Sequence, residues 1–258
     1  MIVLSKMATL PTIDSREQAC LRPTGQPVMF QTWTDLAFLH WEFEVDRIAS
    51  TLPPGLHVDT HEGKAYVGLV PFYMRNIRLK GLPMIPGTAN FLEMNVRTYV
   101  HDSNGRPGVW FYSLDATNFL ACIVAQARYH LPYYHAKISA RREADWIDYR
   151  CQPRRGDKQY ESRARYRGIG DDVSGSPGSL EYFLAERYLL FAWQKKRKRL
   201  FTGKVHHSPY RLETAAVDEY RSGAMTLCGF DVDGRPPDQA HFSKGVDVDI
   251  FSLKPTND

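Results

Sequence analysis

From Phe91 to Val100 apolar and polar side chains alternate almost without a break. Leu92, Met94, Val96, Thr98 and Val100 fall on one face of an extended chain, and Glu93, Asn95, Arg97 and Tyr99 fall on the other, as the two-residue period of a strand requires. Gly108–Leu114 (GVWFYSL) follows the turn-forming Asp102-Ser103-Asn104-Gly105, which predicts a β-hairpin. Upstream, Lys64–Phe72 (KAYVGLVPF) is rich in β-formers and bounded by Gly63 and Pro71, the pattern of a strand covered on both faces. Downstream, Phe119, Leu120, Ile123, Val124, Ala127 and Leu131 recur at helical spacing until Pro132. A helix over about 116–130 is expected, with Asp115 accepting from its first-turn N–H groups and its apolar face on the sheet.

The remaining segments carry weaker signals. Residues 1–28 hold Pro11, Pro23, Gly25 and Pro27 with little periodicity and read as an N-terminal arm on the surface. Trp33–Leu52 has a mixed pattern closing at Pro53-Pro54-Gly55, read as a strand or short helix and then a helix at about 45–52. Segments near 135–151 and 159–166 are β candidates joined across Pro153–Asp157, as another hairpin. After a loop over Asp171–Gly178, Ser179 is placed to cap a helix with Leu180, Phe183, Leu184, Leu190 and Phe191 on its apolar face. Val205–Leu212 and Val246–Leu253 read as strands. No repeat and no linker interrupts the series, so residues 29–258 are expected to form a single domain. Its fold class is α+β: a mainly antiparallel sheet with a few flanking helices.

Composition changes this picture little. The 13 Phe, 14 Tyr and five Trp supply a core, and the formal charge of +4 is spread among both signs, so no global field calls for a polyanion. Cys20, Cys122, Cys151 and Cys228 lie far apart without CxxC spacing, which fits reduced thiols better than zinc or a disulfide framework. Lys6, Asp14, Arg16 and Glu17 precede any long apolar run, so neither a signal peptide nor a membrane span is expected, and the cytoplasm is the expected compartment.

Candidate chemistry centres on the polar edge of the 91–100 strand. Glu93, Asn95, Arg97 and Tyr99 face water or a structural ion pair with Arg128, or else they line a cavity, where Glu93 and Arg97 become an acid/base and an anion anchor. Ser113 and Asp115 lie at a strand-to-helix junction of the kind where ligands meet backbone donors, although capping explains Asp115 equally well. His206-His207, with His57 and His61, lacks a third ligand at diagnostic spacing, so no metal is expected. Lys195–Arg199 is the only basic block; a solvated helix end explains it more simply than nucleic acid does. GxGxxG, Walker and GxSxG patterns are absent, and no cofactor is expected.

Several segments together resemble the YqjF-like family. They are Phe38-Leu39-His40-Trp41, Leu52–Leu56 with Asp59, Val67–Phe72, Phe91–Val100, Ser113–Ala116, Leu131–Tyr134, Phe183–Tyr188 and Val205–His207. That family is in turn distantly similar to acetoacetate decarboxylase. The resemblance implies a β-barrel or cone-like antiparallel sheet with two to four flanking helices around a central cavity. In the decarboxylase an aromatic-Pro-Lys-Lys motif supplies the lysine that forms a Schiff base. Placing its proline on Pro132 puts Tyr133 and Tyr134 at the lysines, matches Glu93 to the catalytic-glutamate strand and matches Arg128 to an arginine preceding the motif. Lys137 shares the pleat of Tyr133 and His135 and is the displaced-lysine alternative.

The expected function is therefore binding of a small carboxylate or carbonyl metabolite, with Asn95, Arg97, Ser113, Arg128, Tyr133 and Tyr134 as ligand contacts and Glu93 and Lys137 as catalytic candidates. A decarboxylase-like lyase and a non-catalytic interaction module are the alternatives. A small-molecule ligand is the expected partner, nucleic acid is disfavoured, and a homo-oligomer is left open.

Overall fold

The predicted hairpin is the centre of the fold: β4 (Phe91–Asp102) pairs antiparallel with β5 (Pro107–Ala116). The computed structural model describes residues 8–232 and 234–256. Before the hairpin come α1 (Ile13–Cys20), β1 (Met29–Phe43), α2 (Val45–Ala49), β2 (Leu56–Val58) and β3 (Ala65–Leu79). After it come α3 (Phe119–Tyr129), β6 (Tyr133–Glu143), β7 (Trp146–Pro153), β8 (Ser162–Asp172), α4 (Leu180–Ala185) and β9 (Leu189–Gln194). The chain ends with β10 (Arg199–His207), β11 (Glu213–Ser222), α5 (Gly223–Leu227), β12 (Gln239–Ile250) and β13 (Lys254–Pro255). The fold is α+β with one 13-stranded, mainly antiparallel sheet; β5 alone makes parallel pairings, with β6 and β9.

The pairing closes twice. A larger ring runs β5-β6-β7-β8-β11-β12-β1-β3-β4 and returns to β5. A smaller ring runs β10-β9-β5-β4-β3-β1-β12 and returns to β10. Both rings include short ladders, such as β11–β12 at two residue pairs and β5–β9 at two, so the shape is cone-like rather than a regular barrel. The strands β12, β1, β3, β4 and β5 form a wall common to both. The larger ring is filled by one hydrophobic cluster, to which Leu39, Val67, Met94, Val96, Tyr149 and Tyr166 contribute. Met94 and Val96 are the apolar phase of the alternation read from the sequence, and the polar phase looks into the smaller ring.

Several boundaries differ from the sequence reading. The 135–151 segment is itself a hairpin, β6–β7, turning at Ala144 (φ 56°); that turn carries no glycine or proline to announce it. Asp115 does not cap α3. It stays in β5, fully buried, and Asn118 caps the helix by accepting from Ala121 N at 3.0 Å. Ser179 caps α4 as expected, through Tyr182 N at 3.3 Å, but α4 ends at Ala185 and Leu190 and Phe191 lie in β9. The basic block is a single 3-10 turn, Lys195–Arg197, between β9 and β10, closed by Lys198 at φ 46°, rather than the end of an α-helix. Among the described residues a few helices flank the sheet, as expected; α1 and the one-turn α5 are the ones the periodicity did not announce. The arm holds α1, whose Arg16 reaches Asp59 with both guanidinium nitrogens.

Candidate functional site

The smaller ring encloses a cavity of about 300 Å³. Backbone irregularities decide which side chains reach it. An extra residue in β1 at Asp35 (φ 55°) changes the phase of the strand, so Trp33 and Leu36 both face the cavity. An extra residue in β3 at Asn76 (φ 55°) does the same for Met74 and Ile77. Such bulges re-aim side chains without ending the pairing. Opposite β4, the register with β5 shifts so that Val96 pairs with Ser113 and Arg97 with Phe111. Phe111 and Leu114 therefore line the cavity. Ser113 is turned to the other side, fully buried, 3.7 Å from Cys228 Sγ.

Three polar residues of the cavity wall come from the middle of β4, and Gln31, Tyr129, Tyr133 and Tyr210 also reach the lining. Glu93 is 2% exposed, Asn95 5% and Arg97 9%. The Tyr133 hydroxyl donates to Glu93 Oε2 at 2.9 Å. Burial pushes the Glu93 carboxyl up to about 8, while hydrogen bonds from Tyr133 and Asn95 pull the other way and the nearby Asp115 charge pushes it further up. At neutral pH Glu93 is therefore a carboxylic acid, able to donate as well as accept.

Arg97 is held differently. Its guanidinium donates to Leu184 O at 3.0 Å and to the Tyr99 hydroxyl at 3.3 Å, and it lies over the rings of Phe38 and Tyr99. Its Nε has no hydrogen-bond partner, and among the described residues it makes no ion pair. The Tyr99 hydroxyl donates to Leu184 O at 2.6 Å and lies 2.6 Å from His40 Nε2. Burial holds His40 well below its ordinary pKa, so its ring is neutral. Gly68 makes room for that ring: a Cβ there would meet it at 2.9 Å.

Of the residues singled out from the sequence, the structure brings together Glu93, Asn95, Arg97 and Tyr133 on the cavity wall. The others lie elsewhere. Tyr134, one residue on in the pleat, faces away from the cavity and lies under the Arg155 guanidinium, which pairs with Asp115. Arg128 is in the last turn of α3 and exposed, so it neither lines the cavity nor pairs with the β4 carboxylate. Lys137 keeps the pleat of Tyr133, but β6 has left the cavity by that point and the side chain is exposed. Among the described residues no lysine lines the cavity. The histidines are scattered: His57 stacks on His101 and His207 on Tyr188. Among the described residues no group of three or more His, Cys, Asp or Glu is arranged to hold a metal ion.

Sequence reasoning missed Tyr129, Leu114 and Phe111 as cavity residues. It also missed a buried cluster beside the site, in which Asp59 joins Arg187 Nη1 at 2.6 Å and Arg16 at 2.6 Å.

Residues 30–247 match the family DUF2071, described as an uncharacterized conserved protein. The chain belongs to this family. A protein of Bacillus subtilis (strain 168) named Uncharacterized protein YqjF is 35% identical over 232 residues, covering 90% of this chain and 94% of that one. The acetoacetate decarboxylase of Legionella pneumophila subsp. pneumophila str. Philadelphia 1 is 12% identical and superposes with a TM-score of 0.63 over 97% of each chain. The enduracididine biosynthesis enzyme MppR, solved in complex with pyruvate, is 13% identical, with a TM-score of 0.60 over 91% of this chain and 93% of that one. These two likenesses establish the acetoacetate decarboxylase-like fold and nothing further. No helix among the described residues is long and apolar enough to cross a membrane.

Proposed function

We propose that the cavity binds a small carboxylate, with Arg97 holding the anion and the Glu93–Tyr133 pair offering a proton to a carbonyl or hydroxyl group of the same molecule. The observation that carries this reading is buried Arg97, which lines the cavity and whose guanidinium makes no ion pair among the described residues. A buried cation is costly unless it is paired, and a bound carboxylate supplies that pairing with charge-assisted hydrogen bonds. Glu93, neutral at pH 7, adds no negative charge to oppose such a ligand.

The neighbours with solved structures support the choice of ligand class, since one of them, MppR, is solved in complex with pyruvate. An imine mechanism gains no support from the position of Lys137, which is exposed and outside the cavity.

Titration of the protein with hexanoate, followed by calorimetry and by the fluorescence of the cavity-lining Trp33, tests the reading. Arg97→Met is expected to weaken hexanoate at least about 30-fold, the consequence of losing one partner of a buried charge pair worth about 2–5 kcal/mol. Equal binding of hexanoate and hexan-1-ol, or full binding by Arg97→Met, overturns the proposal.

A further inference from the structure

The two ends of the polar row on β4, Glu93 and Arg97, are too far apart for a short acid to span, and apart from Asn95 between them the surrounding wall is largely apolar. Four residues apart on β4, the backbones of Glu93 and Arg97 are separated by about 13 Å at about 3.3 Å per residue. The Arg97 guanidinium lies over Tyr99, two residues further from Glu93, and bonds the Leu184 carbonyl. A two- to four-carbon acid seated on Arg97 therefore does not reach the Glu93–Tyr133 pair.

The volume points the same way. At about 30 Å³ per water-sized group, a cavity of about 300 Å³ accommodates on the order of ten non-hydrogen atoms. Asn95 stands between the two stations, and Gln31, Tyr129 and Tyr210 also reach the lining, but most of the wall is hydrocarbon, including Leu36, Val70, Phe72, Phe111, Leu114 and Leu131.

The mouth continues this surface outward. Leu82 and Ile85, from the loop after β3, and Leu120 and Val124 of α3 line the cavity and are 54%, 56%, 56% and 49% exposed. Leu120 and Val124, part of the α3 face expected to pack on the sheet, stand instead on this rim. An exposed apolar rim continuous with an apolar shaft fits a ligand whose tail runs from the interior to the surface.

We infer that the ligand class is a monocarboxylate carrying an unbranched or aryl-ended apolar tail of about six to ten carbons, its carboxylate on Arg97 and its tail passing Glu93–Tyr133 toward the rim. This rests on the anion reading above and adds the length and character of the remainder. Glu93 and Tyr133 then stand beside the chain several carbons from the carboxylate, where they would meet a carbonyl or hydroxyl on the tail.

The test is a length series, acetate, butyrate, hexanoate, octanoate and decanoate, titrated into the wild-type protein, Arg97→Met, Arg78→Met and Ala125→Trp, with octan-1-ol and methyl octanoate as uncharged partners of the same tail. The expected result is affinity rising about fourfold per added methylene, the equivalent of about 0.8 kcal/mol per buried CH₂, up to a plateau near octanoate or decanoate. Ala125, which lines the cavity from α3, is only half-buried, so a larger side chain there blocks the outer shaft with little burden on the fold. Ala125→Trp is expected to weaken octanoate and decanoate at least tenfold and to leave butyrate unchanged. Arg78, exposed at the mouth, is expected to be dispensable.

Affinity that is flat with chain length but still lost in Arg97→Met overturns this inference and leaves the carboxylate reading standing. Octan-1-ol or methyl octanoate binding as tightly as octanoate overturns both. Dependence on Arg78 in place of Arg97 reverses the orientation and equally overturns the inference.

Discussion

Glu93→Gln is expected to make the protein more stable at pH 8 than the wild type while leaving the two equal near pH 4.5. The carboxyl is raised from 4.5 to about 8, chiefly by burial, so between those values the folded protein holds a proton that the unfolded chain has released. Stability then falls as pH rises, by about 1.4 kcal/mol per pH unit across that window, and levels off above it. The whole effect is on the order of 4–5 kcal/mol, of which roughly 2–3 kcal/mol lies between pH 6 and 8. Glutamine keeps the shape and an oxygen to accept from Tyr133, but it has no proton to lose. Urea denaturation of both proteins at half-unit steps from pH 6 to 8.5 measures the difference. The histidines cancel from the comparison, because wild type and variant carry the same ones and differ only at position 93. Parallel stability curves for wild type and variant across this range would falsify the claim that Glu93 is a neutral acid in a dry wall.

Three further outcomes follow from the same geometry. Tyr133→Phe removes a hydrogen bond that favours the charged form of Glu93, so the pH at which the wild-type-minus-Gln stability difference levels off should move upward; a downward move contradicts the assigned donor. Asp59→Asn leaves Arg187, 3% exposed, without its carboxylate and should cost about 3–5 kcal/mol of unfolding free energy, whereas a loss under 1 kcal/mol would mean the pair is not held as described. Borohydride reduction in the presence of pyruvate or acetoacetate should add no mass at Lys137, which stands outside the cavity; an adduct present in the wild type and missing in Lys137→Ala would restore the imine mechanism.

What could be read from the sequence was periodic, and what could not was a break in period. The alternation of β4 runs unbroken from Glu93 to Arg97, so its two faces were assigned to opposite sides from the residues alone, with Met94 and Val96 in a filled core and Glu93, Asn95 and Arg97 on one cavity wall. The strand-to-helix junction suggests Ser113 as a ligand contact, but the shift between β4 and β5 inserts a residue at Tyr112, where no glycine or proline marks it, and Ser113 turns away from the cavity. The bulges at Asp35 and Asn76 are equally silent, although aspartate and asparagine tolerate the left-handed region better than most residues. Tyr133 and Tyr134 are neighbours in sequence, yet a pleat sends adjacent residues apart, and only the first reaches Glu93. Lys137 had the right pleat parity. Its distance along β6 decided its position, and parity carries no information about distance. Asp59 and Arg187 stand 128 positions apart, and no local pattern announces such a pair.

The shared wall accounts for how a cavity of this kind keeps its geometry. Strands β1, β3 and β4 each present one face to the packed interior of the larger ring and the other to the cavity, so the polar residues stand on backbone that is clamped from behind. The clamp is direct at Glu93. Tyr149 of β7, fully buried across the larger ring, places its hydroxyl 2.8 Å from Glu93 O and 3.0 Å from Phe72 O, which pins the paired residues of β3 and β4 from the side opposite the cavity. A carboxyl on rigid, half-apolar backbone cannot swing out to solvent to ionise, so the cost of burial is expressed in its proton affinity rather than relieved by motion. The filled ring and the hollow one are thus parts of a single device: the first fixes the strand, and the fixed strand is what holds an acid neutral and a cation unpaired on the walls of the second.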